Sequence, residues 1–274
     1  MEKYVNIKKK RMTGVKDTMK TLNRMIYTRR SIVEFEVNDE KKYGINVQND
    51  MGNKYAPTII VAEIDIIKLN EPTITTDYIV METYPDEGVM MVVFPSLIRT
   101  IDKDRVTNCL GKYPELLFKQ VEKTIDDLFS FTNSYQVIMA DVGQVVGSEQ
   151  GGYRPILVLE AIDKGEEVQY IGIAMTSKIG KTKLPTHVFF QEGEAELARD
   201  SNMLAEQLVQ VIVSKEEIEN SKNSLKQKRK KEDLFVELGF IPNQKLSNAK
   251  YALDVSVGLK EVPRKEPIGK KIIS

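Results

Sequence analysis

The same order of segments runs through this chain twice. Short, branched or alternating stretches broken by Asn, Asp, Gly and Pro are followed each time by a polar helix. This recurrence constrains the fold more than any other feature. Strands this short must share a buried face, which argues for a small barrel or sandwich. In the first round, SIVEFEV (31–37) alternates, and INVQND leads into a turn around Met51–Asn53. APTIIVAEIDI (56–66) is rich in branched residues and MMVVF (90–94) is an apolar run. In PELLFKQVEKTIDDLFSF (114–131), Leu117, Val121, Ile125 and Leu128 recur at three- and four-residue steps and predict an amphipathic helix.

After a polar break at 132–134 the pattern restarts. YQVIMADV (135–142), PILVLEAI (155–162), VQYIGIAMTS (168–177), THVFF (186–190) and LAEQLVQVIV (204–213) read as strands. A polar helix over Lys215–Leu234 is expected to take the place of the helix that ended the first half. The halves align at offsets of roughly 110 residues, pairing Lys42 with Arg154, Asp65 with Thr176, Ile98 with Leu208 and Lys103 with Lys215.

Charge is balanced, with 40 Lys+Arg against 40 Asp+Glu, so net charge does not announce a nucleic-acid binder. It is unevenly spread. Residues 1–28 form a basic extension in which Val15, Met19, Leu22 and Ile26 predict a short helix, and Lys222 to Lys231 is a second basic block. A single cysteine, Cys109, rules out an intramolecular disulfide and fits a reducing cytoplasm. No histidine lies near it in sequence, so packing is the favoured role. With one histidine, His187, no mechanism can draw two from one chain. The sequence holds no HExxH, cysteine cluster, Walker loop or GxGxxG. No cofactor or metal is therefore expected. No apolar run reaches transmembrane length and no secretory signal is read, so a cytoplasmic protein without a membrane partner is expected.

Chemistry concentrates in GSEQGGYRPILVLE (147–160), a glycine-paired polar loop entering a buried strand. Glu149 could take a proton and Arg154 could hold an oxyanion or a phosphate. Each has a plainer reading: a solvated loop glutamate, and a structural arginine paired with a carboxylate.

This loop, together with IAMTSKIGKTKLPTHVFF (173–190), resembles the MazF/PemK family of toxin endoribonucleases. A GSEQGG-x-RP loop, a threonine or serine after a buried strand and an LPTHV-like strand stand here in that order, within residues 135–213. In the first half, NVQNDMGNKYAPTIIVAEI (46–64) and SLIRTIDKDRV (96–106) resemble other parts of the same family. The reactive loop is missing there. Six residues separate Phe35 from Lys42, against thirteen between Ala140 and Arg154, and Lys42 and Asp65 stand where Arg154 and Thr176 would be.

The resemblance implies a mainly β, α+β fold: tandem SH3-like (MazF/CcdB-type) small β-barrels with terminal helices, arranged as an intramolecular pseudo-dimer. A degenerate unit would span 29–131, an intact unit 135–234, and a tail 235–274. It implies metal-independent, sequence-specific cleavage of single-stranded RNA by 2′-hydroxyl attack, leaving a 2′,3′-cyclic phosphate and a 5′-hydroxyl. Arg154 would bind the phosphate, Thr176 would donate to it, and Glu149 would be the base. Gln150, Gly151, Gly152, Tyr153, Ser177 and Lys178 would bind substrate, with Lys181 and Lys183 along the phosphate path. For His187, packing is at least as good a reading as catalysis. A MazE-like antitoxin is the implied partner. Two alternatives stay open: a non-catalytic RNA- or protein-binding toxin homologue of the MazF/CcdB type, and docking of residues 232–274 on their own barrel to limit access.

Overall fold

The computed structural model describes residues 27–70, 78–130, 135–145, 147–180, 184–224 and 235–262. The expected helix at Val15–Tyr27, the linker 132–134, Lys181, Lys183 and most of the second basic block lie outside them, or at their margin in the case of Tyr27.

Two six-stranded antiparallel sheets account for most of the described chain. The first is built from β1 (Ser31–Val37), β2 (Glu40–Asn46), β3 (Thr58–Lys68), β4 (Ile79–Tyr84), β5 (Val89–Asp102) and β6 (Val106–Lys112). A short helix, α1 (Asp50–Tyr55), stands where the sequence suggested only a turn, because the Asn49 side chain accepts from Gly52 N at 2.6 Å and caps it. Helix α2 (Glu115–Leu128) closes this unit.

The second sheet contains β7 (Gln136–Asp141), β8 (Tyr153–Asp163), β9 (Glu167–Thr176), β10 (His187–Phe190), β11 (Ser201–Ser214) and β12 (Phe235–Phe240), with helices α3 (Lys215–Ser224) and α4 (Asn243–Ser256). Strand order is β4-β5-β3-β2-β1-β6 in one sheet and β10-β11-β9-β8-β7-β12 in the other, which is the same topology twice.

Two sequence readings need correction. The helix that corresponds to α2 is α4, since each follows the strand that flanks the first strand of its sheet. Helix α3 is an insertion between β11 and β12, where the first unit has only a 3-10 turn at Lys103–Arg105. Residues 235–256 are therefore not a surface tail. Phe235 pairs with Ala140, and α4 buries Ala249, Ala252 and Leu253. These residues are committed to the core and are not free to dock over a site.

Cross-strand register fixes which positions correspond. Ala62 faces Ile98 in the first sheet as Ile173 faces Leu208 in the second. Phe35 faces Lys42 as Ala140 faces Arg154. Counting along β3 and β9 from these pairs sets Glu63 against Ala174 and Asp65 against Thr176.

The units share one connected apolar core. It runs from Ile45, Ile60 and Phe118 to Leu157, Ile173, Leu208 and Leu253. At the seam between β5 and β11, Leu208 N donates to Thr100 Oγ1 at 2.8 Å, and Gln210 Nε2 donates to Ile98 O at 3.3 Å. Because 98 corresponds to 208 and 100 to 210, the same pair of positions meets in both contacts, with a backbone N–H donating in one and a backbone carbonyl accepting in the other. The end of α4 is tied to the first unit, where Asn49 Nδ2 donates to Val255 O at 2.7 Å.

Leu253→Ala, at a side chain that is 1% exposed, is expected to cost about 2–5 kcal/mol by urea denaturation. Deleting 241–274 is expected to abolish the cooperative transition. A truncated chain that melts like the intact one would contradict this placement of α4.

Candidate functional site

The β7–β8 connection spans 142–152 and is closed at its base by its own backbone. Gly152 N donates to Gly143 O at 2.9 Å and Val142 N to Gly152 O at 3.3 Å. Gly152 has φ +75°, and a Cβ on Gly151 would lie 2.8 Å from Gly143 O. One glycine supplies the left-handed turn and the other the close approach. The first unit has no such loop. Asn38 and Asp39, at φ 51° and 62°, make a two-residue turn between Val37 and Glu40, the left-handed pair that suits a tight hairpin.

Arg154 leaves β8 at the open end of the β8–β9 ladder. Two residues beyond the pair Ile156–Ala174, on the strand face those residues share, stand Arg154 and Thr176. Arg154 Nε donates to Gly151 O at 2.8 Å, Nη2 also reaches that oxygen, and Nη1 reaches Gln150 Oε1. Of its five N–H groups, two have no acceptor among the described residues. Burial pulls the guanidinium below its ordinary pKa, but an arginine stays charged at neutral pH. Thr176 Oγ1 accepts from Lys178 N at 3.2 Å, which turns the chain out of β9.

Glu149 is not a solvated loop residue. The tip of the loop crosses to the first unit, where Glu149 Oε1 accepts from Asp102 N at 2.7 Å and sits 2.9 Å from Arg105 Nε. That second contact is an ion pair whose N–H is not aimed at the oxygen. Ser148 N donates to Asp102 Oδ2 at 2.7 Å. Gly147, at φ +59°, lets the backbone come this close, since a Cβ there would overlap the Asp102 carboxylate. Asp102 and Arg105, which meet the loop tip, were not singled out in the sequence. Their only sequence signal is the SLIRTIDKDRV segment (96–106), which pointed to fold rather than to the loop.

Four of the predicted residues line two separate cavities, and Arg154 and Thr176 line neither of these two. Glu149 and Gln150 line a groove of about 440 Å³ between the units, together with Lys42, Arg105, Gln169 and Gln207. Tyr153, which is half exposed, and Ser177 line another of about 470 Å³ with Arg199 and residues of β12. The Lys178 side chain is exposed. His187 Nε2 lies 2.7 Å from Glu206 Oε1 at the sheet edge, a structural pairing that favours its packing role. Among the described residues no three His, Cys, Asp or Glu side chains gather as metal ligands would.

In the first unit the corresponding cation is engaged. Lys42 Nζ lies 3.9 Å from Glu63 Oε2, and Arg99 Nε lies 2.6 Å from Glu63 Oε1. Glu63 stands where the second unit has Ala174, and Asp65 puts a carboxylate where Thr176 has a hydroxyl.

A family model described as PemK-like, MazF-like toxin of type II toxin-antitoxin system matches residues 133–255. Endoribonuclease MazF of Staphylococcus saprophyticus is 34% identical over 125 residues, covering 45% of this chain and 88% of that protein. The protein of the same name from Staphylococcus epidermidis is 35% identical over the same length. The chain belongs to the PemK/MazF toxin family. The match runs through α4, so the PemK/MazF unit includes β12 and most of the final helix. A solved mycobacterial endoribonuclease, in complex with its cognate antitoxin, aligns with 37% of this chain and 92% of its own at 15% identity, with a TM-score of 0.30.

Gly147→Ala is expected to destabilise the protein by about 1–3 kcal/mol through its left-handed backbone, plus the clash with Asp102. Gly88→Ala, at φ +67° with no atom within 4 Å, carries only the backbone cost. Equal losses for the two variants in denaturant melts would mean that the loop does not rest on Asp102.

Proposed function

We propose that this chain is an endoribonuclease toxin that cleaves single-stranded RNA at a short sequence without a metal ion. The observation that carries the reading is the β8–β9 register, which, continued two residues past the pair Ile156–Ala174, sets Arg154 opposite Thr176 next to the glycine loop. The kinship with proteins named Endoribonuclease MazF supports it. In the reaction, the 2′-oxygen attacks the adjacent phosphorus, the P–O5′ bond breaks, and the departing 5′-oxygen takes a proton from solvent water to leave as a hydroxyl. The uncommitted N–H groups of Arg154 bind the non-bridging oxygens, where negative charge grows in the transition state. Thr176 donates to the same phosphate. Glu149 takes the 2′-hydroxyl proton through Oε2, the oxygen that no described donor engages. Gln150 and Tyr153 offer an amide edge and a ring to unpaired bases, the usual means of reading single-stranded RNA. Gly151, Gly152, Ser177 and Lys178 border the substrate path.

The two units, 29–131 and 135–256, act as an intramolecular pseudo-dimer with one working site. The reciprocal seam contacts and the shared core support this arrangement. The membership of the family in type II toxin–antitoxin systems supports a MazE-like antitoxin partner.

A second reading, a non-catalytic RNA- or protein-binding homologue, has one observation in its favour. Three donors of Arg154 are satisfied by oxygens of its own loop. Tight RNA binding with no cleavage of diverse RNAs would select it. On the main reading, Arg154→Ala lowers kcat by about 10²–10³ in the presence of chelator, the loss typical of one oxyanion donor. Lys42→Ala stays within about twofold, because that cation is already paired with Glu63. Full activity in Arg154→Ala would refute the assignment.

A further inference from the structure

We infer that the working site is completed from the other unit: Asp102 and Arg105 of the degenerate half are positioning residues for the reactive loop of the intact half. The inference rests on the endoribonuclease reading and deepens it.

Three contacts carry it. The Asp102 amide and the Arg105 guanidinium converge on Glu149 Oε1, at 2.7 Å and 2.9 Å. The Asp102 carboxylate takes the Ser148 amide on Oδ2 while Oδ1 holds its own turn through Asp104 N at 2.9 Å. The clamp is largely withdrawn from solvent, since Asp102 is 4% exposed and the Arg105 and Glu149 side chains are 15% and 12% exposed. Fixing Oε1 from one side presents Oε2 to the 2′-hydroxyl and restrains the three residues that lead to Gly152. A loop held in its reactive geometry before substrate arrives avoids the ordering cost at the moment of reaction.

The pattern of loss between the halves supports the same conclusion. The two-fold relation would place a second clamp where β11 ends, facing the β1–β2 turn. There Ile212 stands at the position of Asp102, since Gln169 faces Ile212 as Thr58 faces Asp102. Lys215, three residues beyond Ile212 as Arg105 is beyond Asp102, pairs with Asp163 of its own unit at 2.9 Å. The partner loop has shrunk to Asn38–Asp39. One loop and the clamp that would hold it are missing together. The other loop and its clamp are both present, although they lie on different units. This is the distribution expected if each working unit is a loop from one half plus a clamp from the other. It also gives the degenerate half a use that needs none of its own chemistry.

The test combines hydrogen exchange with kinetics on the full chain. Arg105→Ala and Asp102→Ala are each expected to raise exchange at the Ser148 amide and its loop neighbours at least tenfold. Both should lower kcat at least tenfold with KM changed less than threefold, and the far-UV spectrum should be that of wild type. Arg105→Lys is expected to recover much of both losses, which a merely structural defect would not. Unchanged exchange in both variants would overturn the inference, and so would raised exchange with kcat within twofold of wild type. If wild type cleaves no RNA, the endoribonuclease reading fails by itself. The exchange measurement then decides alone whether the clamp holds the loop.

Discussion

The seam between β5 and β11 sets where everything else can sit. Thr100 Oγ1 both donates to Glu206 O and accepts from Leu208 N, each at 2.8 Å, so one hydroxyl stitches the two longest strands together. Gln210 returns the link to Ile98. The polar groups here are satisfied by each other and flanked by apolar core, so sliding one unit along the other would strand buried donors and acceptors. With the seam fixed, the end of β5 lies under the β7–β8 loop, and Asp102 and Arg105 come within reach of Glu149. The loop of one half thus rests on a strand end of the other.

Much of the fold was legible because its signals are local. Alternation in 31–37, branched runs in 56–66 and 155–162, and the apolar face of 114–131 all became the elements they suggested. The offset pairing of Lys42 with Arg154 was also legible, and the strand registers agree with it. Strands β6 and β12 were not. Each carries a glycine and is defined by its pairing with the first strand of its sheet, which lies more than 70 residues away in sequence for β6 and about a hundred for β12. The helix correspondence went astray because α3 directly follows β11, whereas α4 buries small alanines that make a weak apolar stripe.

The candidate site was legible only in its local part, for the same physical reason. Arg154, Gly151 and Gly152 belong to one continuous loop, so their association could be read from a single segment. The clamp joins positions 46 and 47 residues apart, across a seam that no local pattern encodes. In the degenerate unit, Glu63 has drawn Lys42 and Arg99 into an ion-pair network next to Gln210.

The chemistry of the cut ends tests the central claim most directly. A long RNA is incubated with the protein in excess chelator and the new termini are characterised. Attack by the 2′-oxygen, with Arg154 and Thr176 on the phosphate, is expected to leave 2′,3′-cyclic phosphate and 5′-hydroxyl ends at a short recurring sequence. Ends bearing 5′-phosphate, or cleavage that stops in chelator, would contradict it.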